Sequence, residues 1–288
     1  MMHYIHSRAR HVLGFTLVEM SIVLAIIGVI VAGGLTISTT LVERSAIERT
    51  QAQLETVNAA IRAYVDANSR LPCVASFTAA LGAAAYGVEL NCAAAAVAGE
   101  STRVAAPTGN VRIGMLPVRT LGLRDRDGAD PFGNRLIYAV SEVLTTTGGF
   151  GTASNVGQIT VNNESTSVVT ANTSSGAAYF VFSPGSDGKG AIRYQSVAWG
   201  SCGTSANLDV QNCDFADNVF RDARFNNGTV ANMFFDDLVV WMPKNILSAS
   251  AASSLASTCN SNNALLTRYN AGASRMEYCN GTAWIPVP

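Results

Sequence analysis

The chain has 288 residues, of which 48% are hydrophobic and 14% are charged, and its formal net charge at pH 7 is -1. This length allows one large domain or two small ones, and the apolar content is sufficient to bury a core. The near-zero charge and the lack of a basic patch argue against nucleic acid as a partner, because phosphate binding depends on clustered lysine and arginine side chains.

A short polar leader, residues 1–14, precedes a long apolar run. No charged residue occurs between Met20 and Val42. A helix over these residues would be about 35 Å long, which is enough to cross the roughly 30 Å of hydrocarbon in a bilayer. Arg8 and Arg10 precede the run and predict that the N-terminus stays on the cytoplasmic side. We therefore expect one membrane span over residues 20–42, with the remainder of the chain exported.

Glu19 lies at the N-terminal edge of this run. An unpaired carboxylate costs on the order of 2–3 kcal/mol or more in the bilayer interior, so Glu19 is expected to have a partner. The residues that lead to it, Gly14-Phe15-Thr16-Leu17-Val18-Glu19, resemble the processing site of type IV pilins and type II secretion pseudopilins. An ordinary secretory signal peptide fits less well, because the apolar run is too long for one.

The resemblance implies a specific processing reaction. A prepilin peptidase would cut between Gly14 and Phe15 and would methylate the new N-terminal amine of Phe15. In a filament this amine, on the same or a neighbouring subunit, would neutralise Glu19, because a nearby opposite charge favours the ionised carboxylate. The implied partners are the peptidase, other pilin or pseudopilin subunits and an assembly platform in the inner membrane.

The helix is predicted to continue beyond the membrane, so that it covers residues 15–70. An apolar stripe at helical spacing indicates that its second half packs against a globular head. The members of the stripe are Ile47, Leu54, Val57, Ile61 and Tyr64. Pro72 limits the helix, since the residue before a proline is biased away from helical conformation.

Residues 71–245 are expected to form a β-rich, pilin-like head. Apolar runs beside turn residues predict strands at 136–140, 178–182 and 238–242. Two stretches of low-complexity composition, residues 78–109 and 145–175, are expected to be surface insertions. The turns beside the predicted strands are similar to those of pseudopilin heads, and the matching residues are Asp130, Phe132, Gly133, Asn134, Ser183, Gly185, Asp187, Gly188, Asp236, Asp237 and Trp241.

Residues 246–288 are expected to form a linker and a small C-terminal unit. The sequence Asn280-Gly281 predicts a turn between two strands. A unit of this size buries little surface, so a disulfide between Cys259 and Cys279 is expected to stabilise it.

The six cysteines form no CxxC pair, and an even, widely spaced set favours disulfides in an oxidising compartment over a zinc site. Pairing between neighbours in sequence is one of fifteen connectivities and is favoured only because short loops close at low entropic cost. It would give Cys73–Cys92, Cys202–Cys213 and Cys259–Cys279.

We expect neither catalysis nor a cofactor. The three histidines, His3, His6 and His11, all lie in the leader, so the processed chain would have no histidine for a catalytic triad or a metal site. No nucleotide-binding motif is present. Calcium binding stays an open alternative: major pseudopilins bind calcium late in the head, but the acids here lack EF-hand spacing. These acids are Asp187, Asp214, Asp217, Asp236 and Asp237.

The sequence thus predicts an α+β protein with a long N-terminal helix on a β-rich head. The favoured function is that of a structural subunit of a type IV pilus or a type II secretion pseudopilus, and a minor subunit is favoured over a major one. Such a subunit resides in the inner membrane, with its head in the periplasm, before it enters the filament. The alternative is a surface-displayed adhesion or substrate-binding pilin whose C-terminal unit recognises a ligand.

Overall fold

The structure, a computed structural model, describes residues 16–152, 154–170, 176–203, 207–226, 228, 232–244, 247, 267–270, 275–280 and 282–286. The side chains of residues 30–41, 267–270, 275–279 and 286 are not among those described. The predicted α+β class is confirmed, because a long helix, α1 (Leu17–Asn68), is followed by strands that form three sheets. The chain divides into two compact units, Met1–Ser45 and Ala46–Pro288.

The strands of the second unit are, in chain order, β1 (Thr102–Ala106), β2 (Gly109–Met115), β3 (Ile137–Ser141), β4 (Thr160–Asn162), β5 (Val168–Thr170), β6 (Ala177–Ser183), β7 (Val219–Arg221), β8 (Leu238–Pro243), β9 (Thr267–Asn270), β10 (Arg275–Cys279) and β11 (Trp284–Pro286). A single-turn helix, α2 (Val210–Cys213), precedes β7. The three predicted strands correspond to β3, β6 and β8, each correct to within one residue at both ends.

The largest sheet has five antiparallel strands in the order β1-β2-β3-β6-β8. Its middle strands, β3 and β6, are buried along their whole length. Successive side chains of a strand point to opposite faces. Tyr138 and Tyr179 accordingly join the core on one face, whereas Phe180 and Phe182 join the core on the other. This sheet therefore has a hydrophobic core on each side.

The second half of α1 covers the first of these faces. Leu54, Val57 and Ile61 are buried there, as the apolar stripe predicted. The stripe was wrong at its end, because Val65, one turn after Ile61, enters the core in place of Tyr64. Tyr64 stays half-buried because its hydroxyl needs a polar partner, and it donates a hydrogen bond to a carboxylate of the head.

A small sheet in the order β5-β4-β7 covers the opposite face. Val161 of β4 is fully buried, and the rings of Phe180 and Phe220 lie 4.8 Å apart. The prediction that residues 145–175 are a surface insertion is therefore wrong for β4. It is also wrong for β1, which lies within residues 78–109 and forms the edge of the large sheet. Low-complexity composition hid both strands, because only alternate residues of each short strand enter the core.

The C-terminal strands form a third sheet in the order β11-β10-β9. The predicted turn joins β10 to β11, and the Asn280 side chain accepts hydrogen bonds from the backbone N–H groups of Thr282 and Ala283 at 2.9 and 2.8 Å. Residues 248–266, which include most of the predicted linker and Cys259, lie outside the described residues.

Candidate assembly site

The described chain begins at Thr16, so the predicted processing residues Gly14 and Phe15 lie outside it. Glu19 lies in the first turn of α1. The backbone N–H and the hydroxyl of Thr16 donate to Oε2 of Glu19 at 3.1 and 3.2 Å, and the Glu19 N–H donates to Oγ1 of Thr16 at 3.2 Å. This reciprocal arrangement is a capping box, which satisfies backbone donors that the first turn of a helix leaves without partners.

The partner of Glu19 within its own chain was missed by the sequence analysis. The pattern Thr16-x-x-Glu19 directly before an apolar run is itself a sequence signal for a capping box. The capping box stabilises the start of α1 by about 1 kcal/mol and holds the carboxylate beside Thr16. Both residues would remain after a cut between Gly14 and Phe15, so the arrangement is compatible with the predicted processing.

The first turns of α1 present a continuous apolar surface. Every large apolar side chain between Leu17 and Val29 is between 46% and 90% exposed. A surface of this kind marks an interaction with another protein or with a membrane. Among the described residues, however, no helix has a stretch both long enough and apolar enough to cross a membrane. The span predicted over residues 20–42 is thus not supported, and residues 30–41 of that span lie outside those whose side chains are described.

The turns that resembled pseudopilin heads meet at one end of the large sheet. Asp130 accepts a hydrogen bond from the Asn134 N–H at 2.8 Å and another from the Ser183 hydroxyl. The Asn134 amide donates to the Gly185 carbonyl at 2.7 Å. Gly185 has a φ of +66°, and a Cβ there would lie 2.4 Å from the carbonyl oxygen of Asp236, so no other residue fits without strain. These contacts hold the turns of the head together, so the residues that make them have a structural role.

Three carboxylates form a cluster beside these turns. Oxygen atoms of Asp187, Asp209 and Asp236 lie within 4.8 Å of one another, a spacing that could suit a metal ion. The ammonium group of Lys189 already lies among them, 2.8 Å from Asp187 and 2.7 Å from Asp209. Asp209 had not been selected from the sequence, because no local spacing links it to Asp187. Lys189 gives this cluster a neutralising partner from the chain itself.

The other acids considered for calcium have different surroundings. Asp214 and Asp217 each accept a hydrogen bond from a backbone N–H two residues ahead, and so they cap local turns. Asp237 is buried and accepts a hydrogen bond from the Asn212 amide at 2.8 Å. Burial raises the pKa of Asp237 well above its usual value, since an ionised carboxylate is poorly solvated there. Of the five candidates, only Asp187 and Asp236 belong to the cluster with Lys189.

Two of the predicted disulfides are present in the structure, Cys73–Cys92 and Cys202–Cys213. The first closes a loop directly after α1, and the second closes a loop that contains Asp209. The third predicted bridge cannot be described, because Cys259 lies outside the described residues and so does the side chain of Cys279.

Residues 9–35 match the family described as the prokaryotic N-terminal methylation motif. The matched range includes Gly14, Phe15 and Glu19, and it ends inside α1. It supports the type IV pilin-like signal predicted from the sequence, and with it a precursor that is processed for assembly with other pilin-type subunits. No curated protein and no solved structure gives a significant match to the chain.

Proposed function

We propose that the chain is a structural subunit of a type IV pilus or a type II secretion pseudopilus. The observation that carries this proposal is the match of residues 9–35 to the N-terminal methylation motif. The peptidase cuts after Gly14 and methylates the amine of Phe15. The processed subunit then begins at Phe15, directly before the capping box of Thr16 and Glu19 in the sequence.

In this proposal the first part of α1 resides in the inner membrane over residues 20–42 before it enters the filament, and the head lies in the periplasm. The exposed apolar side chains between Leu17 and Val29 support this step, because either lipid or the helices of neighbouring subunits would cover them. We further propose that the subunit is a minor one without catalytic activity, since its large head with a third sheet is difficult to repeat along a tightly wound filament.

Glu19 makes the assembly selective. Its Oε2 atom is bonded to Thr16, and a carboxylate can accept further hydrogen bonds at its other oxygen. A methylated amine of Phe15 on a neighbouring subunit would neutralise this charge in the apolar interior of the filament, where an opposite charge has its strongest effect. A subunit in the wrong register would leave the carboxylate unpaired.

The experiment that tests this role compares Glu19→Gln with Glu19→Val in cells that assemble the filament. Gln preserves the capping box but removes the charge, whereas Val removes both. If the charge directs assembly, both variants are cleaved and inserted into the membrane, and both are depleted from sheared filaments. Wild-type amounts of Glu19→Gln in the filaments would show that Glu19 acts as a helix cap only.

A second candidate function is display of a binding unit at the filament surface. It is favoured by the separate sheet of β9, β10 and β11, whose strands pair only with one another among the described residues. Deletion of residues 246–288 separates the two candidates. A purely structural subunit retains assembly and binding, whereas a binding pilin keeps assembly and loses attachment to its target.

A further inference from the structure

A partly exposed tryptophan lies in the loop between β6 and α2. Trp199 is 42% exposed, which is unusual for so large an apolar side chain. Its backbone is nevertheless fixed, because Trp199 forms an isolated antiparallel bridge with Ile192. The N–H of the next residue, Gly200, donates to the Ala191 carbonyl at 2.7 Å. The indole is therefore held at the surface by an ordered loop.

Two phenylalanine rings support this indole. The ring centroids of Phe77 and Trp199 lie 4.4 Å apart with the planes at 66°, and those of Phe215 and Trp199 lie 5.6 Å apart at 71°. Phe77 is buried in the core on the second face of the large sheet, whereas Phe215 is half-buried. Edge-to-face contacts of this kind are favourable and fix the orientation of the indole. Trp199 and Phe215 thus meet at the surface as a corner of two rings.

The backbone of Phe215 is strained. Its φ is +48°, a region that bulky residues rarely adopt. Phe215 follows Cys213 by two positions, and the disulfide of Cys213 with Cys202 closes the loop before it. Strain of this kind is concentrated at functional sites, because the surrounding structure has to hold it in place. An aromatic ring that is placed beside Trp199 in a strained conformation indicates a function for the pair.

The residues next to the ring of Phe215 are negatively charged. Asp214 directly precedes it and Asp217 follows two positions later, and both are exposed. Partial burial and, to a lesser degree, the charge of Asp217 raise the pKa of Asp214. A positive charge beside these carboxylates would therefore be favourable. The basic residue nearest to Trp199 in the sequence, Arg193, donates a hydrogen bond to a backbone carbonyl of another turn.

We propose that the corner of Trp199 and Phe215 binds the quaternary ammonium group of a free cation of the choline type. The faces of aromatic rings attract cations, and tryptophan does so most strongly. Asp214 and Asp217 add an attraction for the ammonium group, and they would repel a phosphate attached to it. The site therefore favours free choline over a phosphocholine headgroup. It lies in the head, so this inference goes beyond the proposed function and does not depend on assembly.

The test is isothermal titration calorimetry of the full-length chain in a non-ionic detergent, with choline as the probe. Dimethylbutanol, the uncharged isostere of choline, separates attraction to the charge from apolar contact. Phosphocholine tests a lipid headgroup, and glucose tests a neutral sugar that would stack on the same indole. The variants are Trp199→Leu, Trp199→Phe and Asp214→Asn. Phe225→Leu is the matched control, because Phe225 is 43% exposed but lines a different surface, beside α1.

We expect saturable binding of choline that is at least about tenfold tighter than that of the other three ligands. Trp199→Leu should weaken it about tenfold, and Trp199→Phe, which keeps an aromatic ring, by less than about threefold. Asp214→Asn should weaken it about threefold without altering the rings, and Phe225→Leu should match the wild type. The urea midpoint of each variant verifies folding.

The other outcomes overturn the proposal. Equal binding of dimethylbutanol would show that the site is merely apolar. Tighter binding of phosphocholine or glucose would assign the corner to another class of ligand. Absence of choline binding, or unchanged binding by Trp199→Leu, would show that the rings do not hold the cation. Because none of these measurements involves a filament, each of them leaves the proposed function intact.

Discussion

Replacement of Glu89 should weaken the connection between the end of α1 and the head. Oε1 of Glu89 accepts hydrogen bonds from the Tyr64 hydroxyl at 3.1 Å and from Arg70 at 2.7 Å. Oε2 accepts hydrogen bonds from Arg70 at 2.9 Å and from the backbone N–H of Cys73 at 2.8 Å. One carboxylate thus binds the last turns of the helix, the bidentate guanidinium and the first residue of the disulfide loop.

The expected loss of stability follows from the solvent exposure of the groups that bind Glu89. The side chains of Arg70 and Glu89 are 24% and 21% exposed, so water would partly replace their ion pair, and its loss costs about 1 kcal/mol. The Cys73 N–H is buried and would remain without an acceptor, which costs about 1–3 kcal/mol. We therefore expect Glu89→Ala to lower the free energy of unfolding by about 3 kcal/mol. Glu89→Gln retains an acceptor for Cys73 and should cost about 1 kcal/mol.

The dependence on pH has a defined sign. Burial alone raises the pKa of Glu89, but the hydrogen bonds from Arg70 and Cys73 outweigh it, and the net pKa is lowered from 4.5. Its contribution to stability is therefore present above the pKa of the unfolded chain and is lost as the pH falls through the lower pKa of the folded chain. The difference in stability between the wild type and Glu89→Gln should shrink below about pH 4.

The assay is urea unfolding, followed by circular dichroism, of a chain that begins at Ala46, the first residue of the second compact unit. A loss of 3 kcal/mol should lower the urea midpoint by about 1 M or more. Glu55→Ala is the control, because Glu55 is an exposed glutamate on the same helix and should change the free energy of unfolding by less than about 0.5 kcal/mol. Equal midpoints for Glu89→Ala and Glu55→Ala would show that the contacts of Glu89 do not stabilise the head.

Three further predictions concern the head. Ile61→Ala should lower the free energy of unfolding by about 2–5 kcal/mol, because Ile61 is fully buried on the face of α1 that packs against the sheet. Urea unfolding measures this loss. Lys189→Met should lower the free energy of unfolding by about 1–3 kcal/mol, because the buried carboxylate of Asp209 would lose its cation. Addition of calcium or of a chelator should leave the urea midpoint of the wild type unchanged, and a calcium-dependent midpoint would contradict the role of Lys189. Because burial raises the pKa of Asp237, its ionisation should make the wild type less stable as the pH rises from about 4 to 7, and Asp237→Asn should flatten that decline in urea titrations at several pH values.

The sequence predicted the elements whose patterns are local. The strand at Ala178–Phe182 was recognisable as an apolar run beside a glycine-rich turn, and the end of α1 followed from Pro72. The small sheet that packs on the second face of the large sheet was not predicted. Its strands β4 and β7 are three residues long and pair with each other across almost 60 residues of chain. Short strands of this kind are defined by their partners more than by their own composition.

The candidate site was predictable to a similar extent. Glu19 was recognised from its position, and its partner Thr16 could have been found from the capping-box pattern. Asp209 could not have been predicted as a member of the cluster, because it approaches Asp187 only through the fold of the loop that Cys202 and Cys213 close. Lys189 was unremarkable in the sequence, although it supplies the charge that neutralises this cluster.

The N-terminal mass of the chain, purified from cells that produce it, tests the predicted processing most directly. Residues 9–35 carry the methylation motif, and we predict a mature chain that begins at Phe15 with a methylated amine. Gly14→Ala should still be cut, whereas a bulky residue at position 14 should block cleavage. A mature chain that retains Met1, or one that begins after the apolar run, would show that the chain is not processed as a pilin-type precursor.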